Sequence, residues 1–363
     1  MPADKKHIGF LCSRLDLPGG IERAIVNLSN LFIQKQHKVS LVILDETDKI
    51  FYPLSSQVNI FHQQLSFGIT KQGNVITRKI KLLSDVLKLK KLLKKIRPEF
   101  IIATEYPFVA AAKLSGIPKA VKLVSWEHHH FYELEKNFFW ERLFQLTYPK
   151  LSAIVTLNED EKNFAQKFNP NCFVIPNFIE ATETSSLDKQ KVILTIGRLT
   201  NVKGIDRLLP VVKAILEKHS DWKWKLIGDG ELKTVVEDFT LKNNLGNRFI
   251  LQPPFNHQIK NEYQQAAMYV MTSRNECLPM TLMEAMSCST PCIAFDCPTG
   301  PRHIITNGEN GLLIKNGDVE EMTNAVSLLI ENEGLRKKMG EKAFENIQRF
   351  SPENIYKLWE QLF

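Results

Sequence analysis

The chain has 363 residues, too many for one ordinary hydrophobic core, so two domains are expected. Its 44% hydrophobic and 24% charged residues are ordinary for a globular protein. No stretch approaches the roughly 18–20 apolar residues of a membrane helix, and the opening MPADKKHIGFLCS lacks an apolar leader core, so a cytosolic protein is expected. Six cysteines with no CxxC pair read as reduced thiols rather than zinc ligands or disulfides. The net charge of +7 is uneven: 25 Lys+Arg face 17 Asp+Glu up to Glu180, and 22 face 23 beyond it. The basic half is therefore the one expected to meet something anionic, whether nucleic acid, a membrane surface or a phosphorylated acceptor.

HIGFLCS reads as the first strand, and Gly19-Gly20 precede the first helix. In that helix Ile21, Ala24, Ile25, Leu28, Leu31 and Phe32 recur at three-to-four spacing and define one buried face. The Gly-Gly turn can offer backbone amides to an anion, but the GxGxxG dinucleotide fingerprint occurs nowhere in the chain. HKVSLVIL and VNIFH are the next strand-like runs. ITRKIKLLSDVLKLKKLLKKIRP then reads as a basic amphipathic helix with Leu82, Val86, Leu89, Leu93 and Ile96 on its apolar face. Residues 78–97 hold nine Lys/Arg and one acid, Asp85, which reads either as a solvated basic face or as attraction to an anionic membrane. Aromatic interleaving is missing, so a nucleic-acid partner is not expected.

EFIIATE and AVKLVSW continue the alternation, and the second runs into Glu127, His128, His129 and His130. No HxxxH or HExxH spacing supports a metal there. His128, first past the strand end, is the histidine expected to face a ligand. After AIVTLNE, the segment CFVIPNFIEATETSSLDKQK breaks the pattern and reads as a linker. Strand-like runs resume at KVILTIGRL, WKWKLIGDG, RFILQ, MYVMTS, TPCIAFD and GLLIKNGD, and SPENIYKLWEQLF reads as a final helix capped by Ser351.

Alternation of this kind, twice over, predicts an α/β protein of two doubly wound parallel-sheet domains, residues 1–176 and 177–348. Residues 349–363 are expected to return to the first. Open parallel sheets bind ligands beyond their C-terminal strand ends, which places the expected site in a cleft between the domains.

Three motifs of the second half carry chemistry. In ILTIGRLTNVKGIDRLL, Arg198 and Lys203 share one short loop and could grip one anion, or be two surface cations at a strand end. Gly228-Asp229-Gly230 could let backbone approach a ligand, or be an ordinary strand-to-helix turn. In SRNECLPMTLMEAM, Glu276 lies in a loop, Pro279 suits the first turn of a helix, and Glu284 lies about one and a half turns in. A helix N-terminus seats a diphosphate, and a carboxylate to either side can accept hydrogen bonds from sugar hydroxyls. The spacing suits a nucleotide-sugar; two solvated glutamates flanking a helix start fit it equally.

Taken in order, GGIER, EHHHFYE, IGRLTNVKGID, IGDGEL, SRNECLPMTLMEAM and PCIAFDCPTGPRHIITNGENGLLI resemble the retaining glycosyltransferases of family 4, over nearly the whole chain. The resemblance implies the GT-B fold, a nucleotide-diphosphate sugar donor, no metal cofactor and a retained anomeric configuration. It implies that Glu276 holds donor-sugar hydroxyls and Glu284 the nucleotide ribose. Arg198, Lys203 and the turn at Gly20 would serve the donor diphosphate, and His128 would lie near the reacting sugar. The backbone of Cys277, Leu278 and Pro279 would line the donor loop, although the family usually has glycine where Cys277 stands. The final motif is most similar to bacterial enzymes building capsule, lipopolysaccharide or lipid-linked glycans. The expected partners are then a UDP-sugar and a glycan or polyprenyl-linked acceptor, at the inner face of the cytoplasmic membrane. A UDP-sugar epimerase on the same fold and a non-catalytic nucleotide-sugar binder are the alternatives; an oxidoreductase is disfavoured by the missing dinucleotide fingerprint.

Overall fold

Short runs rich in Ile, Val, Leu and Phe pair as parallel strands, and the segments between them return as helices. The computed structural model describes residues 5–44, 49–65, 67, 75–130, 138–180, 189–255 and 259–363, without the side chains of 75, 76, 78 and 79. It divides into two units, Met1–Pro176 with Ile355–Phe363, and Asn177–Asn354.

The first unit runs β1 (His7–Cys12), α1 (Gly20–Gln34), β2 (Lys38–Ile43), β3 (Asn59–His62), α2 (Val75–Ile96), β4 (Phe100–Ala103), α3 (Tyr106–Leu114), β5 (Lys122–Trp126), α4 (Phe138–Thr147), β6 (Ala153–Thr156), α5 (Glu159–Ala165) and β7 (Cys172–Val174). Its strands form one parallel sheet in the order β3-β2-β1-β4-β5-β6-β7. Steps to one side of β1 and steps to the other need helices on opposite faces, because parallel crossovers are right-handed. α1 therefore covers one face, and α2, α3 and α4 the other. Val86, Leu89, Leu92, Leu93 and Ile96 of α2 join Phe108, Val109, Trp140 and Phe144 in one core there. Ala24, Ile25, Leu28, Leu31 and Phe32 of α1 are buried as expected.

The segment read as a linker begins differently. Cys172–Val174 is the seventh strand, paired with β6, because Phe173 and Val174 find an open sheet edge beside Val155 and Thr156. Its later part, residues 181–188, lies outside the described residues, and Gln190 already opens the next strand.

The second unit contains β8 (Gln190–Ile196), α6 (Ile205–Lys218), β9 (Lys223–Ile227), α7 (Lys233–Lys242), β10 (Phe249–Gln252), α8 (Ile259–Gln265), β11 (Ala266–Met271), α9 (Met280–Ser287), β12 (Cys292–Asp296), β13 (Gly311–Lys315), α10 (Val319–Glu331) and α11 (Glu333–Ile347). The sheet order β10-β9-β8-β11-β12-β13 reverses direction between β8 and β11. That reversal is the topological switch point, where loops from neighbouring strands diverge and leave room for a ligand.

The chain ends in α12 (Pro352–Glu360), whose N-terminal turn is capped by Ser351 Oγ accepting from Asn354 N–H at 3.5 Å. From Ile355 onward it belongs to the first unit. Trp359 meets Phe32 and Trp126 edge-on, and Tyr356 Oη bonds His37 Nε2 at 2.8 Å.

Candidate active site at the switch point of the second unit

The loop after β8 is fixed before any side chain matters. Gly197 N–H donates to Ile227 O and Leu199 N–H to Asp229 O, lacing this loop to the one after β9. A Cβ on Gly228 would stand 2.0 Å from Gly197 O, and one on Gly230 2.6 Å from Leu199 O. The close approach expected of Gly-Asp-Gly is therefore made to the neighbouring loop of this chain, and those glycines serve packing.

Lys203 is positioned from three sides. Its stem crosses Gly197, it precedes Gly204 at φ 66, and a Cβ on Gly204 would meet Thr272 O at 2.0 Å. Thr272 Oγ1 donates to the carbonyls of Lys203 and Gly204. Arg274 N–H donates to Val202 O, and its guanidinium forks onto Asp206 at 2.7 and 2.6 Å while also reaching Asn201 O. That fork holds the Asp206 carboxyl below the usual carboxylate range. The strand end of β11 thus clamps the turn that carries Lys203.

Glu276 sits in the next loop. Its backbone pairs with Thr299, and its carbonyl accepts from the N–H groups of Thr299 and Gly300 at 2.8 and 2.7 Å. Its Oε1 accepts from Lys203 Nζ at 2.6 Å and from Ser273 Oγ at 2.7 Å. Arg198 is exposed and its side chain has no hydrogen bond or ion pair among the described residues. Arg198 and Lys203 line one small pocket with Thr195, Gly197, Met271 and Ser273, directly at the switch point. The structure therefore brings together Arg198, Lys203 and Glu276: one unneutralised cation beside one ion pair.

Pro279 is the cap of α9, not part of its first turn. At φ −71 and ψ 106 its backbone is extended, so the helix begins at Met280. Cys277 and Leu278 are buried, packing the donor loop down. Glu284, also buried, accepts from the hydroxyl of fully buried Tyr263 at 2.6 Å. Tyr263 is held in turn, because its carbonyl accepts from Thr290 Oγ1 and Lys189 Nζ. Sequence reasoning missed Tyr263, Ser273 and Gly300. Only Ser273 carried a local signal, three residues before Glu276.

Gly20 and His128 belong to the first unit. Gly20 is the first residue of α1, following the cap residue Gly19. The four residues at 127–130 have separate fates. Buried Glu127 accepts hydrogen bonds from Ser125 Oγ and from Tyr148 Oη. His129 is exposed, and His130 Nδ1 pairs with Glu161 at 2.6 Å. His128 packs on Trp126 with ring centroids 4.3 Å apart, and its buried Nε2 has no hydrogen-bond partner among the described residues. Burial, with His129 beside it, pushes the His128 ring down to about 3, so it is neutral at working pH. Among the described residues no group of three or more His, Cys, Asp or Glu side chains could hold a metal ion.

The described elements are those of an α/β protein with two parallel sheets and a polar site at the strand-order reversal of the second. The model for "Glycosyltransferase Family 4" matches residues 18–183, and that for "Glycosyl transferases group 1" matches residues 178–346. The chain belongs to glycosyltransferase family 4, is an enzyme of the glycosyltransferase class, and has the GT-B fold. It is 28% identical to an uncharacterized glycosyltransferase of Haemophilus influenzae, over 98% of this chain and 99% of that protein. It is 29% identical to the amylovoran biosynthesis glycosyltransferase AmsD of Erwinia amylovora, over 95% of each. Among solved structures it is similar to Anabaena HepE in complex with UDP-glucose, at a TM-score of 0.77 and 17% identity, covering 98% of this chain and 99% of that one.

Proposed function

We propose that the chain is a retaining, metal-independent glycosyltransferase that moves a hexose or N-acetylhexosamine from a UDP-sugar to a glycan hydroxyl, on a lipid-linked or cell-surface polysaccharide precursor. One observation carries this reading: the 2.6 Å Lys203–Glu276 pair stands beside Arg198, exposed and without an ion pair among the described residues, at the strand ends of β8 and β11, with Glu284 on the helix that follows. The UDP-glucose of the HepE complex and the amylovoran role in the name of AmsD support the donor and acceptor classes.

In this reading the diphosphate lies over the start of α9. Arg198 grips it as a fork, and Lys203 turns to it from Glu276. Glu276, so released, accepts hydrogen bonds from the donor sugar, and Glu284 from the ribose. Gly20 offers a backbone N–H to phosphate, and His128 a neutral ring nitrogen to the sugar, an assignment supported by the family likeness and by the unsatisfied Nε2. Two fixed cations and a helix tip then stabilise the charge growing on UDP, the task a metal ion performs elsewhere. The bond from the anomeric carbon to phosphate oxygen breaks. The acceptor oxygen bonds that carbon from the same face, and its proton goes to a β-phosphate oxygen of the departing UDP.

The test is a donor screen with UDP-glucose, UDP-galactose and their N-acetyl forms, offering free and polyprenyl-linked glycans and reading UDP release. Acceptor-dependent release that persists in EDTA is expected. Arg198→Ala and Lys203→Ala should each lower kcat/KM on the order of 10²–10³-fold. Donor conversion without any acceptor would identify an epimerase, and donor binding without release a silent binder; either result overturns the proposal. A covalent sugar trapped on Glu276 would overturn the same-face step.

A further inference from the structure

Lys189, the residue before β8, is half-buried and gathers the ends of two helices onto one ammonium. Its Nζ donates to Thr290 Oγ1 at 2.6 Å, to Cys288 O at 2.9 Å and to Tyr263 O at 3.3 Å. Tyr263 lies in the last turn of α8, and Cys288 closes α9. Two of the three acceptors are therefore carbonyls that a helix C-terminus leaves without an intrahelical partner. The third, Thr290 Oγ1, donates in turn to Tyr263 O at 2.7 Å. Ser289, at φ 52, turns the chain so that Thr290 N–H returns to Ala285 O at 3.0 Å. An ammonium has three donors, and here each meets one oxygen. Helix C-termini also favour a cation through their dipoles. Lys189 thus ties the end of α8 to the end of α9, and the 2.6 Å bond from Tyr263 Oη to Glu284 spans the same two helices.

We propose that the Lys189 ammonium is a positioning group for the donor's nucleoside: by fixing α8 against α9 it sets the reach of Tyr263 Oη to Glu284. The inference rests on the proposed role of Glu284 as ribose ligand, and Lys189 itself touches no substrate. Its contacts converge on the backbone of the one residue whose hydroxyl holds Glu284, so slack at Nζ passes through a rigid ring to the carboxylate. Burial lowers the Lys189 ammonium to about 8. The three-donor form therefore prevails at neutral pH, and a two-donor amine replaces it just above. The amine leaves one of the three oxygens facing a lone pair, which loosens the tie. The titratable groups facing Nζ are Cys288 at the end of α9 and Cys292 of β12. Burial raises both thiols, so each stays a neutral S–H through that range. The sign follows: donor affinity is full while Lys189 is charged and falls as pH rises through its titration.

The experiment is calorimetric titration of the full chain with UDP-glucose, whose phosphates do not titrate near neutral pH and whose nucleoside is common to every UDP-sugar. The proteins are the parent, Lys189→Met, Tyr263→Phe and the double variant. Methionine keeps most of the stem and removes every donor. At about pH 7, Lys189→Met and Tyr263→Phe are each expected to weaken binding about tenfold. In the Tyr263→Phe background the lysine change should add less than about twofold, because both act on one oxygen of Glu284. Between about pH 7 and about pH 9 the parent's affinity should fall about threefold or more, while that of Tyr263→Phe stays level. A helix cap that served stability alone would lower Tm and produce neither the coupling nor the pH profile. Additive losses in the double variant, parent affinity in Lys189→Met, a level profile in the parent, or no binding by the parent would each overturn the proposal. Should Lys189→Met fail to fold, the pH profiles of the parent and Tyr263→Phe decide alone. Binding indifferent to Glu284→Gln would strike the ribose assignment and this proposal with it, whereas binding that needs Glu284 but not Lys189 would strike the proposal only.

Discussion

Tyr263 shows what a single buried hydroxyl can do for a binding carboxylate. Its 2.6 Å hydrogen bond fixes one oxygen of Glu284, and both residues are buried. A buried, charge-assisted bond of this kind is worth about 1.5–3 kcal/mol, far more than the same contact in water. Tyr263→Phe should therefore raise the donor KM about tenfold with kcat close to the parent, since Glu284 is proposed to hold the ribose and not the reacting atoms. Steady-state kinetics decides: a fall in kcat at unchanged KM would show that Tyr263 does something else. The residues legible in the sequence were those whose partners are set by nearby chain. Arg198 and Lys203 share one loop, and Glu276 and Glu284 flank one helix start. Tyr263 gave no such sign, because its hydroxyl crosses from α8 to α9 and only packing determines where it arrives.

The loop bearing Glu276 is an element defined by its neighbour. A Cβ on Gly300 would stand 2.6 Å from Pro279 Cδ and 2.8 Å from the carbonyls of Glu276 and Cys277. Gly300→Ala must push this loop away from the pocket. Misplacing a reacting group by about 1 Å costs on the order of 10²-fold, and overpacking about 1–3 kcal/mol. The variant should thus lose about 10²-fold in kcat/KM with a modest drop in Tm; calorimetry and kinetics showing parent values for both would mean the loop yields elsewhere. α2 teaches the complementary lesson. Its periodicity revealed the face that meets the sheet, while the exposure of Ile80, Leu83 and Leu87 on the other side came to light only in the tertiary structure.

At the scale of the molecule, the chain builds one unit, then the other, and finally commits its last helix to the first. Trp359 is fully buried against Phe32 and Trp126, with ring centroids 6.0 and 5.5 Å away, and Lys122 Nζ donates to Leu362 O at 2.8 Å. Trp359→Ala should cost about 3–5 kcal/mol. A denaturant midpoint for the first unit equal to that of the parent would show that the helix adds nothing to it. The strand-order reversal in the second sheet belongs to this scale as well, since it places the segments after β8 and β11 side by side although 68 or more residues separate their contacting groups.

The sequence by itself determined the α/β alternation, the parallel sheets and the identity of the charged groups at the strand ends. All of these follow from hydrophobic periodicity and from glycine or proline acting over a few residues. Only the tertiary structure decided that Lys203 pairs with Glu276 while Arg198 has no ion pair among the described residues, that Gly228 and Gly230 serve packing, that Tyr263 holds Glu284, and that Ile80, Leu83 and Leu87 of α2 are exposed. Each of these depends on which surfaces meet in three dimensions, and distance along the chain carries no record of that.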